Sequence, residues 1–211
     1  MLQNAPGKYG KEYFSSAKSR YSLVEEKKII DGLKSGDSNS YREFVNLFSG
    51  KVYNTSLGLL QDSSDAEDIT QEVFIEVFNS ISGFKSQSSL STWLYRITIN
   101  RCLDLIRKKK RKKRFALVKS IFVKEDRDDE IPDFIHPGVI LENREKSKII
   151  FGSINRLPDN QRIAFTLNKI EDMSYKEISE IMNTSVSSVE SLIHRAKENL
   201  KKLLKEYYKE Y

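Results

Sequence analysis

The stretch Ser174-Tyr175-Lys176-Glu177-Ile178-Ser179-Glu180-Ile181-Met182-Asn183-Thr184-Ser185-Val186-Ser187-Ser188-Val189-Glu190-Ser191-Leu192-Ile193-His194-Arg195-Ala196-Lys197 decides the fold. Ser174 and Glu177 stand at the spacing of a capping box, in which each side chain satisfies a backbone N–H of the other's residue. Ile178, Ile181 and Met182 then form one short apolar face, which predicts a helix from Tyr175 to Met182. Asn183-Thr184-Ser185 reads as a tight turn. Beyond it Val189, Ile193, Ala196, Leu200 and Leu203 recur at helical spacing and mark a long last helix. A short helix, a tight turn and a longer helix form the helix-turn-helix pattern, whose second helix enters the DNA major groove. The outer face of that helix carries Ser187, Glu190, Ser191, His194 and Arg195, with Lys197, Lys201 and Lys202 beyond. Such side chains read base edges or hold phosphates. The bland alternative is a helical hairpin with a solvated polar face.

Working outward, Pro158 suits the first turn of a preceding helix, with Ile163, Leu167 and Ile170 turned inward. A further helical pattern runs from Ile140 to Leu157. Upstream of it the chain is charged in blocks. Arg101 to Arg114 holds nine basic residues and one acid, Asp104; Glu125 to Asp133 holds six acids and one Arg, with Pro132, Pro137 and Gly138 close by. Block charge and helix breakers predict a linker. From Leu23 to Arg107 helical periodicity returns. Ile29, Ile30 and Leu33 end at Ser35-Gly36-Asp37, and Phe44, Val45, Phe48, Val52 and Tyr53 follow in a helix reaching Leu60. Ser64 and Glu67 predict a helix start. Ala66, Ile69, Val73, Val77 and Phe78 are its expected apolar face. A fourth helix carries Leu90, Trp93, Leu94 and Ile97 and continues to Ile106. Alternating strand patterns are missing. The expected fold is all-α: a loose tail over 1–22, an N-terminal helical bundle over 23–107, a charged flexible linker over 108–140 and a helix-turn-helix domain over 141–211.

Composition narrows the function. The chain has 211 residues with formal net charge +6, one cysteine (Cys102) and two histidines (His136, His194). One cysteine makes neither an internal disulfide nor a thiolate metal site, and Cys102 reads as a small buried hydrophobe. Leu, Ile, Val and Phe make up 60 residues, enough for a packed core. No apolar run has the length of a membrane span, and Met1 to Phe14 lacks a signal core. A cytoplasmic protein is expected. Glycine-rich phosphate loops, His–carboxylate metal patterns and nucleophile elbows are all missing, so no enzymatic activity, cofactor or metal is expected. The run Arg101 to Arg114 carries net +8, which leaves −2 for everything else. The positive charge is local, as a phosphate-neutralising segment would have it.

Two further constellations stand out. Asp65, Asp68, Glu72 and Glu76 recur at spacings of three and four and share one helix face. Such a row docks a basic partner helix or, more plainly, complements the helix N-terminus and stays solvated. Between Phe84 and Arg107, Trp93, Tyr95, Arg96, Asn100 and Arg101 combine aromatic and basic groups, a composition suited to single-stranded nucleic acid. Core packing is the competing reading for Trp93 and Phe84.

The order of these pieces resembles a bacterial RNA polymerase sigma factor of the extracytoplasmic-function (ECF) type. Three passages carry the resemblance: Asp65-Ala66-Glu67-Asp68-Ile69-Thr70-Gln71-Glu72-Val73-Phe74; Ser91-Thr92-Trp93-Leu94-Tyr95-Arg96-Ile97 with Asn100 and Asp104; and Leu157-Pro158 followed by Ser174 to Ile178, Val189-Glu190-Ser191 and His194-Arg195-Ala196-Lys197. The resemblance spans Leu23 to Leu204. It implies a subunit that directs RNA polymerase core to promoters and assists their opening. By the resemblance, Asp65, Asp68, Gln71 and Glu72 dock the β′ coiled coil of the core, with the β subunit as a further contact. Phe84, Lys85, Ser89, Trp93, Arg96, Asn100 and Arg101 engage the −10 element, where a flipped base is captured. Ser187, Ser188, Glu190, Ser191, His194, Arg195 and Lys197 read the −35 element. Promoter DNA and an anti-sigma factor complete the implied partners. Glu190 and Leu192 depart from the basic residues many relatives carry there, so relatives do not supply the −35 sequence. A stand-alone helix-turn-helix regulator is the alternative. An enzyme on nucleic acid would need a metal-binding carboxylate cluster, for which Asp65 and Asp68 are the available start.

Overall fold

The computed structural model describes residues 23–119 and 144–207. The expected tail over 1–22, residues 120–140 of the expected linker with their acidic stretch, and His136 lie outside the described residues.

Eight helices and one 3₁₀ turn make up the described chain: α1 (Leu23–Lys34), α2 (Ser38–Leu60), α3 (Ser63–Ser80), a 3₁₀ turn (Ile81–Gly83), α4 (Leu90–Lys119), α5 (Arg144–Asn155), α6 (Asp159–Lys169), α7 (Tyr175–Ile181) and α8 (Val186–Tyr207). The protein is all-α with two domains, α1–α4 and α5–α8. Among the described residues no helix is long and apolar enough to cross a membrane.

The first domain is a bundle around α2 and α4. Phe44, Val52, Val73, Val77, Leu90 and Leu94 are buried at its centre. Phe44 packs on Phe48 and Phe74 with ring centroids 5.0 and 5.6 Å apart. α1 meets α2 so closely that a Cβ on Gly32 would stand 2.6 Å from the Ser40 Cβ. Only glycine allows that approach. The intervening turn uses Gly36 at φ +74, a region glycine enters freely. Asp37 caps α2 by accepting from the Asn39 and Ser40 amides.

Two sequence expectations need correction in this domain. Ser64 is not the cap of α3. The helix begins at Ser63, and the Asp62 side chain accepts the Asp65 N–H at 2.8 Å. α4 does not stop near Ile106 either, but continues through the basic run to Lys119. Lys and Arg are good helix formers, and positive charge suits the negative end of the helix dipole. Lys109 Nζ also reaches the Asp65 carboxylate of α3.

In the second domain α8 packs on α5, α6 and α7. Its buried residues Val189, Ile193, Ala196 and Leu200 follow the predicted stripe. The two domains touch directly, α6 against α2 and α7 against α4, and their apolar residues form one continuous cluster. A smaller cluster gathers Phe151, Ile154, Leu157, Ala196 and Leu200. Polar contacts also cross the boundary. Gln61 Nε2 donates to the Phe151 carbonyl at 2.7 Å and Lys110 Nζ to Asp159 Oδ1 at 3.3 Å. Arg162 of α6 is only 2 % exposed; it donates to Asn155 and Asp159 and faces the Cys102 side of α4. Cys102 is fully buried, as expected for a small hydrophobe, and burial pushes its thiol up to about 12.

Candidate nucleic-acid interface

α3 presents the acidic row on a rigid, capped helix. Asp68, Gln71 and Glu72 are exposed. Asp65 is half-buried and ion-paired with Lys109, and Glu76 is paired with Arg101. The free part of the row is therefore Asp68 and Glu72, with Gln71 beside them. The structure adds two residues that the sequence placed otherwise or passed over. Ile75 is 59 % and Phe78 56 % exposed. Phe78 was expected on the buried stripe; Phe74 takes that place, and Phe78 leans edge-on against Tyr41 at 5.4 Å. Residues 71, 75 and 78 follow i, i+4, i+7 spacing, so both apolar groups continue the Gln71 face. An exposed Ile and Phe beside two carboxylates make a mixed apolar and acidic surface. The signal was available: an apolar residue at 75 is out of phase with the stripe at 66, 69, 73 and 77.

The second face lies at the start of α4. Ser89 caps the helix, its Oγ accepting the Thr92 N–H at 3.0 Å, and a Glu26 carboxylate oxygen accepts the Leu90 N–H. The loop before it is held by Lys34, whose Nζ donates to the Phe84 carbonyl at 2.8 Å. Phe84 is buried and stacked on Trp93, ring centroids 4.9 Å apart. Burial makes it the floor of the loop. Trp93 is half-buried, while Lys85 and Asn100 are exposed. Trp93, Arg96 and Asn100 share one stripe of α4. Arg96 is engaged by the other domain, donating to the Glu180 carbonyl of α7 at 2.6 Å. Arg101 turns to Glu76 of α3.

The third face is the helix-turn-helix. The predicted capping box is present: Glu177 Oε2 accepts the Ser174 N–H at 2.8 Å, and Ser174 Oγ accepts the Glu177 N–H at 3.3 Å. The turn places Asn183 at φ +50, a left-handed conformation that Asn tolerates. Ser185 caps α8, accepting the Ser188 N–H at 3.1 Å. Ser188 is consequently half-buried and occupied with the cap, its Oγ 2.8 Å from that of Ser185. Ser187, Glu190, Ser191, His194, Arg195 and Lys197 are exposed, as expected. Val186, unmarked by the sequence reading, is 46 % exposed at the start of α8. That end of a recognition helix meets base edges, where an apolar side chain can touch a thymine methyl. Among the described residues, no group of three His, Cys, Asp or Glu side chains gathers to hold a metal.

An acidic–apolar helix face, an aromatic–basic helix start and a helix-turn-helix stand together in one short chain. Comparison with known proteins makes this specific. Residues 44–112 match the family model for Sigma-70 region 2, and residues 149–200 match Sigma-70, region 4. The ECF RNA polymerase sigma factor SigW of Bacillus subtilis is 34 % identical over 183 residues, covering 85 % of this chain and 97 % of the relative. Among solved structures, CnrH in complex with the cytosolic domain of CnrY aligns with TM-score 0.61 at 20 % identity, over 85 % of this chain and 97 % of that one. The sigma factor RpoE of Bartonella quintana, in complex with the anti-sigma factor NepR, aligns with TM-score 0.56 at 22 % identity, over 78 % and 96 %. These two share the fold. The chain belongs to the extracytoplasmic-function RNA polymerase sigma factors, which serve transcription initiation. A stand-alone regulator would leave the region 2 match without a purpose.

Proposed function

We propose that the three faces divide the work of a sigma factor in the cytoplasm. Asp68, Gln71 and Glu72, extended by Ile75 and Phe78, dock the β′ coiled coil of RNA polymerase core. Asp65 belongs to the same face and exchanges Lys109 for the partner on binding. Lys85, Ser89, Trp93, Arg96, Asn100 and Arg101 engage the −10 element. Phe84 supports the loop from beneath. Ser187, Glu190, Ser191, His194, Arg195 and Lys197, with Val186, read the −35 duplex in the major groove. Ser188 contributes by fixing the start of α8. Contacts to the polymerase β subunit and control by an anti-sigma factor complete the assignment; the Bartonella quintana relative was solved with such a partner. No catalysis by the chain itself and no cofactor enter this mechanism. Binding energy at three surfaces positions polymerase and offsets the few kcal/mol that unstacking a base requires.

The observation that carries this reading is positional. The segments matching regions 2 and 4 are the ones that present the exposed acidic–apolar face of α3 and the exposed polar face of α8. The test is co-elution with purified core polymerase and run-off transcription. The wild type should bind core and support promoter-specific transcripts. Asp68→Lys combined with Glu72→Lys should lose core binding with its helical circular dichroism unchanged. Undiminished core affinity of that variant would remove the docking assignment.

A further inference from the structure

The contact between the domains covers part of the proposed −10 face. α7 lies against α4, and the Glu180 carbonyl occupies Arg96. A cavity of about 220 Å³ remains between the domains, bordered by Glu26, Lys51, Tyr95, Glu177 and Glu180 among others. Two residues before Met173, which borders it, Glu171 in the α6–α7 connection faces Thr55 and Lys51 of the first domain. The residue is half-buried, but its Oε1 has lost contact with solvent and makes no well-formed hydrogen bond; the Thr55 hydroxyl of α2, close enough to favour the carboxylate, also lacks one of good geometry. A carboxylate oxygen left this way is costly, whereas a protonated carboxyl has a donor to offer the neighbouring hydroxyl.

We infer that Glu171 is a proton-holding latch: closure of the second domain over α4 takes up a proton at this carboxyl, so the closed form is favoured by acidification. The inference concerns the free chain. Its consequence for DNA rests on the proposed role of α4, but closure itself does not.

The charged and titratable groups around the latch come from every packed element. α2 supplies Lys51, which favours the carboxylate, and the Thr55 hydroxyl acts in the same direction. α4 supplies Tyr95, whose own ionisation is pushed far up by burial and then by Glu171 and Glu177, so it stays neutral. α7 adds Glu177 and Glu180, and α1 adds Glu26, all bordering the cavity. Asp172 is the exposed neighbour in the chain. Burial outweighs the two opposing groups and raises the Glu171 carboxyl from 4.5 to about 7 in the closed form. In an open form it returns toward the ordinary value. Closure is therefore strongest below the open-form value. It weakens by up to about ten-fold per pH unit as pH rises toward the closed-form value, and is flat above it. His194, the one histidine among the described residues, is exposed on α8 and does not line this cavity.

The test uses the full chain with fluorophores at Asn79→Cys and Lys202→Cys in a Cys102→Ser background. Transfer efficiency is followed from about pH 8 to pH 5.5, where a one-proton equilibrium of this kind has its slope. The wild-type latch should close as pH falls, and Glu171→Gln should stay closed across the range. A flat wild-type profile, or an unaltered pH dependence in Glu171→Gln, overturns the inference. Should Glu171→Gln lose its helical circular dichroism, Lys51→Gln decides. Removing that cation must move the closing midpoint to higher pH, and an unmoved midpoint overturns the latch. Core-polymerase capture by the same labelled protein is read separately. Failed capture with pH-dependent closure refutes the docking assignment and leaves the latch standing.

Discussion

At the residue scale, two single positions carry opposite kinds of information. Gly32 is structural. A methyl group there would meet Ser40 of α2 at a distance that real side chains do not tolerate. Gly32→Ala should lower stability by about 1–3 kcal/mol, the usual cost of overpacking, read as an earlier urea midpoint with an unchanged slope. Arg195 belongs to the proposed −35 face. It is exposed on α8 and, among the described residues, donates to the Ser191 carbonyl of its own helix at 3.2 Å through Nε. Arg195→Ala in holoenzyme should weaken promoter binding by about 1–3 kcal/mol and relax preference at one −35 base pair. An equal loss on every −35 sequence would assign Arg195 to phosphate instead. Glu190, on the same face, repels phosphate, and a carboxylate can accept from cytosine N4. Among side chains, exposure on α8 was legible in the sequence because one stripe is apolar without interruption. The position of Phe84 was not: an aromatic beside Trp93 reads equally well as a base-stacking platform or as core.

At the element scale, helix existence was easier to read than helix ends. All eight helices correspond to periodic segments, and the capping box at Ser174 fixed one boundary. At α3 the spacing of Ser64 and Glu67 predicts a capping box at Ser64. The folded chain uses Asp62, an equally good cap two residues earlier. Capping is thus the place where two local signals compete and only geometry decides. Asp62→Ala should cost about 0.5–2 kcal/mol, and Ser64→Ala markedly less, in paired thermal melts. Equal losses would return the cap to Ser64. The length of α4 was missed for a different reason. Dense positive charge reads as linker, yet eight of its first twenty-three residues are buried, and this stiff base carries the helix onward. The basic run thereby becomes a directed arm. It places Lys109 against Asp65 and Lys110 against Asp159, contacts that a flexible chain would not hold in place.

At the scale of the whole molecule, the packing of one domain on the other was the least legible feature. The interface is built from residues that each domain also uses internally: Thr55, Tyr95, Cys102, Ile163 and Ile178 all look like ordinary core. Nothing in their spacing says which helix of a distant segment will cover them. The composition of the contact nevertheless makes a distinct prediction about salt. The ion pair across the domains, Lys110 with Asp159, is largely exposed, and such pairs contribute at most about 1 kcal/mol and are screened by salt. Apart from Glu171 facing Lys51, the rest of the contact is apolar or backbone-directed, as with Gln61 on Phe151 and Arg96 on Glu180, and does not depend on an ion atmosphere. Promoter binding does, because basic residues release counterions when they meet phosphates. Raising salt from about 50 to 200 mM should therefore leave the radius of gyration of the free chain unchanged in small-angle scattering, while promoter-complex affinity falls by orders of magnitude. An expanding free chain would show that charge, not apolar packing, holds the domains together. A promoter complex indifferent to salt would mean that the basic arm of α4 points into solvent and neutralises nothing.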